Sequence, residues 1–301
     1  MLRSTWIVAD FREGEWCPFY ITLTHHFWNQ LGGHSVTFSN IINKVLDQTT
    51  GLSKGVTPLG QMVIEQLLST EHGQKRILVD ISHMSHRMRR YYFRYLSTRG
   101  DQIPIIASHT GVNGKRTMSE AVIKTTEGNY HEIADELYRT STFFNPWDLL
   151  LSDEEIMIIH RSGGIIGINL EHRIMMGTEK LNETKRLARS KNRNEQQEIW
   201  IRPFIGQVLH AARVILQETG DPSGIWDNIC IGSDYGGMIT PIAAFPSAEK
   251  FPEFEEALFS GMKKLVDSEE LLISKTDEEI REITDRVMWK NLVKFLSRHF
   301  R

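Results

Sequence analysis

The chain has 301 residues, 40% of them hydrophobic, a formal net charge of -3 and a pI near 6.5. The length is sufficient for one large α/β domain or two smaller ones, and the slightly acidic balance argues against a general nucleic-acid binder, which would carry a basic face. With no long apolar run, no N-terminal signal-peptide core and only Cys17 and Cys230 as thiols, we expect no membrane span, reduced cysteines and a cytoplasmic location.

Continuous apolar runs alternate with segments of helical periodicity along the chain. The apolar runs predict five buried strands, at 18–24, 77–82, 104–109, 165–170 and 229–234. The periodic segments predict helices at 58–69, 85–97, 153–160, 203–218 and from 276 to the end. Thr57 before Pro58, and Ser152 with Glu155, are typical of helix N-termini. This alternation is typical of parallel βαβ units.

The remaining segments are less regular. A short strand at 6–11 is one interpretation of the N-terminus, and 110–150 is predicted to be a long, partly helical connection. The charged segment 177–199 is predicted to be mobile because its hydrophobicity is low. The basic and aromatic run at 87–95 predicts a helix that packs its aromatic rings and leaves its arginines in solvent.

Four of the predicted strands end in histidine or aspartate. His25 and His26 follow the first strand, His83 the second, His109 the third and Asp234 the last. Because parallel strands place their carboxyl ends on one rim, we expect these side chains to converge there.

Two imidazoles and a carboxylate on one rim suit a transition metal, zinc above all. Asp234 could bind the metal and accept a proton from activated water. Alternation of side chains along the strand predicts that only one of His25 and His26 faces the site, where it could polarise a carbonyl. The alternatives remain open at this point. His83 and His109 could each make only loop hydrogen bonds, Asp234 could be a turn or N-cap residue, and His25 could face solvent.

Six motifs occur in an order that resembles the zinc dipeptidase family of membrane (renal) dipeptidase, within the amidohydrolase superfamily. They lie at 20–25, 55–60, 79–83, 104–109, 151–155 and 231–235, reading YITLTH, GVTPLG, VDISH, PIIASH, LSDEE and IGSDY. The resemblance covers about residues 19 to 295. It implies one metal-dependent hydrolase domain over 1–301, a TIM-type (β/α)8 barrel with two zinc ions on its carboxyl rim, which hydrolyses dipeptides.

The resemblance also implies roles for individual residues. His83 and His109 would ligate the second zinc ion, Asp234 would lie beside the first and take the proton of the attacking water, and His25 would hold the scissile carbonyl oxygen. The substrate would be a dipeptide, and neither nucleic acid nor a membrane span is implied.

The sequence departs from the family pattern in three places. The family's His-x-Asp pair has no counterpart before residue 20, and Glu13 and Glu15 lie too close to the first strand to match its zinc-bridging Glu. Leu149 and Leu150 stand where the family has the arginine that holds the dipeptide carboxylate, and Gly236 replaces its second aspartate. We therefore expect an incomplete barrel with about five C-terminal βα units and an incomplete metal site, as in a truncated gene product.

A divergent natural variant is the alternative to truncation. Two further functional alternatives are a non-catalytic relative that binds one metal ion or none, and an interaction module that uses an exposed sheet edge. An open sheet exposes an edge and an apolar face, so we expect self-association, a homodimer among its forms.

Overall fold

The computed structural model describes residues 17–38, 45–71, 75–121, 123 and 144–300. Its centre is a five-stranded sheet in which the strands follow each other in sequence order, β1-β2-β3-β4-β5, and all neighbouring pairs are parallel. The predicted α/β class is thus confirmed, and the topology is compatible with a partial (β/α)8 barrel. The short strand proposed at 6–11 lies outside the described residues.

The elements have the following bounds. The strands are β1 Tyr20–Thr22, β2 Leu78–Asp80, β3 Ile106–Thr110, β4 Ile165–Ile168 and β5 Ile229–Ile231. The helices are α1 Pro58–Leu68, α2 His86–Ser97, α3 Asp153–Arg161, α4 His172–Met175, α5 Thr178–Ala188, α6 Arg193–Thr219, α7 Phe251–Lys263, α8 Asp277–Asp285 and α9 Asn291–His299, with a π-helical turn at Arg286–Lys290 between the last two. Short 3-10 turns occur at Thr49–Gly51, Met118–Glu120, Pro222–Gly224 and Ala248–Lys250.

The helix starts predicted at Thr57 and Ser152 are confirmed, whereas the helix predicted from residue 203 begins ten residues earlier, at Arg193. Thr57 Oγ1 accepts a hydrogen bond from the Gly60 amide at 3.0 Å, and Pro58 occupies the first helical position. Ser152 is the N-cap residue of α3, and its amide donates to Glu155 Oε2 at 2.9 Å. Local side-chain chemistry therefore fixes where these helices begin, whatever packs around them.

The segment 177–199 is not a loose connection, so that prediction was wrong. It forms α5 and the first turns of α6, which begins at Arg193 and contains Pro203 within it. A capping box formed by Asn192 and Glu195 starts α6. The low mean hydropathy of the segment concealed one apolar helical face, because Leu181 and Ala188 are buried against the core while charged residues face outward.

The arginines of α2 do not all face solvent, which corrects the prediction for the run at 87–95. Arg89 is only 2% exposed and its Nε donates to Glu155 Oε1 at 2.5 Å. Its terminal nitrogens donate to the carbonyl oxygens of Met84 at 2.7 Å and Asp148 at 2.6 Å. This guanidinium thus joins α2, α3 and the two chain segments that border the rim.

The outer strand β1 is only partly covered. Tyr20 is 41% exposed, whereas every residue of the inner strand β4 is buried. Beside it Phe19 packs edge-on against Phe300, which is 56% exposed.

Helix α6 is long and apolar enough to cross a membrane by length and composition alone. However, 67% of its most apolar 18-residue window is buried inside the protein, as in the core helix of a globular domain.

Candidate metal and hydrolase site

The carboxyl ends of the five strands border one cleft. It encloses about 610 Å³ of space, including its open mouth. His25, His26, His83, His109 and Asp234 all line it. The structure therefore brings together every site residue that the sequence analysis named, as the parallel topology requires.

The imidazoles form a compact cluster. Nε2 of His83 and Nε2 of His109 are 2.8 Å apart, and the ring centroids of His25 and His83 are 4.3 Å apart. Nitrogens of His25, His26 and His83 lie within 4.8 Å of one another. His26 thus joins the cluster, so the expectation that only one of the two adjacent histidines faces the site was wrong.

Two residues of the rim, His83 in the cluster and Asp234 beside it, have left-handed backbone conformations. The φ angle of His83 is 65° and that of Asp234 is 57°. Such values are uncommon for residues other than glycine and cost of the order of 1 kcal/mol or more each, so they persist where the surrounding structure enforces them. The turn after β2 and the turn after β5 both bend sharply to direct these side chains into the cleft.

Strand β3, which carries His109, is irregular near its carboxyl end. The register between β3 and β4 shifts between Ala107 and Thr110, and bulges of this kind re-aim side chains next to active sites. Close packing accompanies the bulge, since a Cβ on Gly167 or on Gly232 would lie 2.2 or 2.3 Å from the Ser108 carbonyl oxygen. Only glycine at these two positions lets the three strands approach.

Burial favours the neutral form of His25, His26 and His83. The pKa of His83 is lowered well below 6.5, first by burial and then by the neighbouring His109 and His25. Burial likewise lowers the pKa of His26 to about 4. For His25 burial again lowers the pKa, and the Asp234 carboxylate opposes that shift. Neutral imidazoles are the form that binds metal ions.

The donor set fits a zinc ion. Zinc prefers imidazole nitrogen and carboxylate oxygen, and the cleft supplies both. His83 Nδ1 is buried and has no hydrogen-bond partner, which marks a nitrogen whose lone pair or proton is unsatisfied by the protein. Two nitrogens on one tetrahedral zinc ion are about 3.3 Å apart, so the His83 and His109 nitrogens, 2.8 Å apart, would need to separate slightly.

The wall opposite the histidines comes from the segments after β4 and before α3. Leu149 and Leu150 line the cleft and are buried. Their side chains have no polar atom, so neither can bind a charged group. Arg173 also lines it, and its Nε donates to Glu171 Oε1 at 2.6 Å. Asn169 is fully buried, and its Nδ2 has no hydrogen-bond partner.

None of the three polar residues Asn169, Glu171 and Arg173 was predicted from the sequence to belong to the site. Glu171 and Arg173 follow a predicted strand, as His83 and Asp234 do, and that position was the available signal. The pKa of Glu171 is raised by burial, an effect that the adjacent Arg173 opposes.

No protein-family model and no curated protein sequence matches the chain. Among solved structures, it is similar to a metallo peptidase from Rhodobacter sphaeroides bound to a phosphinate mimic of the dipeptide L-Ala-D-Ala, with 16% identity, a TM-score of 0.47, and coverage of 81% of this chain and 47% of that one. It is also similar to a probable dipeptidase from Pseudomonas aeruginosa, with 15% identity, a TM-score of 0.45, and coverage of 90% of this chain and 60% of that one.

A third similar structure is an amidohydrolase from Pseudomonas aeruginosa, with 14% identity, a TM-score of 0.42, and coverage of 80% of this chain and 57% of that one. Metallo peptidases are thus among the solved structures that this chain resembles, as the sequence motifs predict. The chain spans about half the length of the first of them.

Proposed function

We propose that this chain provides the catalytic rim of a metal-dependent hydrolase that cleaves dipeptides, with zinc as its cofactor. The observation that carries the proposal is the convergence of four imidazoles and the Asp234 carboxylate on one cleft. His83 and His109 would hold the metal ion, with Asp234 beside them. A bound zinc ion would supply water activation and carbonyl polarisation.

The chain's own residues would do the remaining work. The Asp234 carboxylate accepts the proton of the attacking water and returns it to the leaving amine. His25, neutral because burial lowers its pKa, donates an N–H hydrogen bond to the scissile carbonyl oxygen and stabilises its developing charge.

The wall of the cleft opposite the histidines would orient the substrate. Arg173 keeps its two terminal guanidinium nitrogens for a ligand, since only its Nε is used by Glu171 among the described contacts. Together with the unpartnered Asn169 Nδ2, it supplies the donors that a terminal carboxylate needs. Leu149 and Leu150 provide an apolar surface for the substrate side chain. Arg173 would thus take the role that the resemblance gives to the missing arginine.

The test combines metal analysis with hydrolysis assays. Purified protein should bind zinc and hydrolyse dipeptides, and a chelator should remove both properties. His83→Ala and His109→Ala should abolish hydrolysis and weaken zinc binding, whereas His299→Ala, at an exposed position on α9, should change neither.

Each outcome separates the competing functions. Zinc binding without hydrolysis would favour the non-catalytic relative. Absence of zinc binding, or hydrolysis that survives both histidine substitutions, would refute the metal site. A stoichiometric partner that co-purifies with a metal-free protein would favour the interaction module.

The arginine assignment has its own test. Arg173→Met should raise KM for dipeptides by about tenfold to a hundredfold, the loss expected for a charge-assisted hydrogen bond. The effect should vanish for substrates with an amidated C-terminus. Arg202→Met, at an exposed position on α6, is the matched control.

A further inference from the structure

Asp80, at the end of β2, makes an unusually complete set of hydrogen bonds. It is fully buried, and its Oδ1 accepts from the amides of Ser82 at 3.1 Å and Ser108 at 2.9 Å. Its Oδ2 accepts from Thr22 Oγ1 at 2.8 Å and from Ser108 Oγ at 2.6 Å. A carboxylate can only accept, so all four donors point toward Asp80.

Ser108 stands between this carboxylate and the histidine cluster. Its Oγ is 2.6 Å from Asp80 Oδ2 and 2.7 Å from His109 Nδ1. A hydroxyl has one proton, which Ser108 must donate to Asp80 because the carboxylate has none to give. Ser108 Oγ is therefore an acceptor toward His109, and the proton between them belongs to His109 Nδ1.

The pattern continues to the next histidine. With its proton on Nδ1, neutral His109 presents the lone pair of Nε2 to the cleft and to His83 Nε2, 2.8 Å away. His83 must then donate from Nε2, which leaves its Nδ1 unprotonated. That nitrogen is the buried atom without a partner.

We propose that Asp80 and Ser108 are positioning residues that fix His109 as its Nδ1–H tautomer, so that its Nε2 lone pair is directed into the cleft before any ligand binds. Asp80 acts only through Ser108, and neither residue touches the substrate. Their value to catalysis rests on the proposed function, because a preset lone pair serves a metal ion. The tautomer itself does not depend on that function.

Asp80→Asn should not merely weaken the tautomer preference of His109 but reverse it. The two backbone amides hold the oxygen of the new amide at the Oδ1 position, so its NH2 group faces Ser108 Oγ. Ser108 then accepts from that group and donates its own proton to His109 Nδ1. His109 is forced into the Nε2–H tautomer, and its lone pair turns away from the cleft.

The experiment is nitrogen NMR of histidine-labelled, metal-free protein at neutral pH, in which Nδ1 and Nε2 shifts identify the tautomer. His109 should be Nδ1–H in the native chain and in Ser108→Thr, which keeps the hydroxyl. It should be Nε2–H in Asp80→Asn and a mixture in Ser108→Ala. Ser97→Ala, at an exposed serine on α2 whose hydroxyl donates to the Arg94 carbonyl oxygen, is the control and should leave the native tautomer unchanged.

An Nε2–H tautomer of His109 in the native chain would overturn the proposal. This measurement needs no variant, so the proposal remains testable even if the variants fail to fold. The native tautomer in Asp80→Asn would overturn it as well. In parallel, zinc titration of the same proteins should show affinity about tenfold to a hundredfold lower in Asp80→Asn and Ser108→Ala than in Ser108→Thr. Correct tautomers with no zinc binding in any protein would refute the proposed function and leave the tautomer assignment intact.

Discussion

The buried Arg89 guanidinium is the contact whose loss we expect to be most damaging to both stability and site geometry. Arg89→Met keeps the aliphatic bulk and removes the charge. The side chains of Arg89 and Glu155 are 2% and 1% exposed, so solvent cannot replace the lost partner. Breaking one side of a buried ion pair costs about 3–5 kcal/mol because it leaves an uncompensated charge.

The other hydrogen bonds of the groups that contact Arg89 change the expected loss of stability. Glu155 Oε2 still receives hydrogen bonds from the Ser152 amide and hydroxyl at 2.9 Å each, which moderates the loss at the carboxylate. The carbonyl oxygens of Met84 and Asp148 each lose a donor, at about 1 kcal/mol apiece. We therefore expect the free energy of unfolding to fall by about 4 kcal/mol. Because Met84 follows His83 directly, the turn that carries His83 should also loosen.

Urea denaturation followed by circular dichroism measures the loss. Arg90→Met, at the exposed neighbouring position on α2, is the control and should change stability by about 0.5 kcal/mol or less. Adding Glu155→Gln to Arg89→Met should recover part of the loss, since the unpaired buried charge is then gone. If Arg89→Met is within about 1 kcal/mol of Arg90→Met, the ion pair does not stabilise the fold and the reasoning fails.

Three further predictions follow from burial, packing and proton transfer. Burial lowers the pKa of His172 to about 4, whereas the unfolded residue titrates near 6.5, so the unfolded chain binds more protons between these values and the free energy of unfolding should fall as the pH drops through this window. His172→Gln should reduce that slope, by at most about 1.4 kcal/mol per pH unit. Gly167→Ala should destabilise by about 1–3 kcal/mol, because its Cβ would meet the Ser108 carbonyl oxygen, whereas Gly100→Ala, with no atom within 4 Å, should be nearly neutral. Asp234→Asn should lower kcat by about a hundredfold to ten-thousandfold, because the amide cannot accept the proton.

Each of these has a clear contrary result. An unchanged pH slope in His172→Gln would mean that this imidazole is protonated in the folded protein. Equal stability of the two glycine variants, measured by urea denaturation, would refute the close approach of the strands at Ser108. Full activity of Asp234→Asn in steady-state dipeptide hydrolysis would assign proton transfer to another group.

Much of the architecture could be predicted from local sequence. Apolar runs without polar alternation identified the five strands, and caps such as Thr57 and Ser152 fixed helix starts, because these preferences depend on neighbouring residues only. The position of His25, His83, His109 and Asp234 at strand ends was enough to predict that they share one rim. Parallel pairing has that consequence whatever the detailed packing.

The tertiary structure alone decided how these groups interact. Burial of Arg89, the helical state of 177–199 and the presence of both His25 and His26 in the cleft depend on contacts between residues far apart in the chain, which periodicity does not encode. The same holds for the hydrogen bonds from Asp80 through Ser108 to His109. The order of the strands along the chain thus determined which residues meet at the rim. Hydrogen-bond geometry between the strands determined which histidine nitrogen carries the proton, because that choice depends on distances of a few tenths of an ångström.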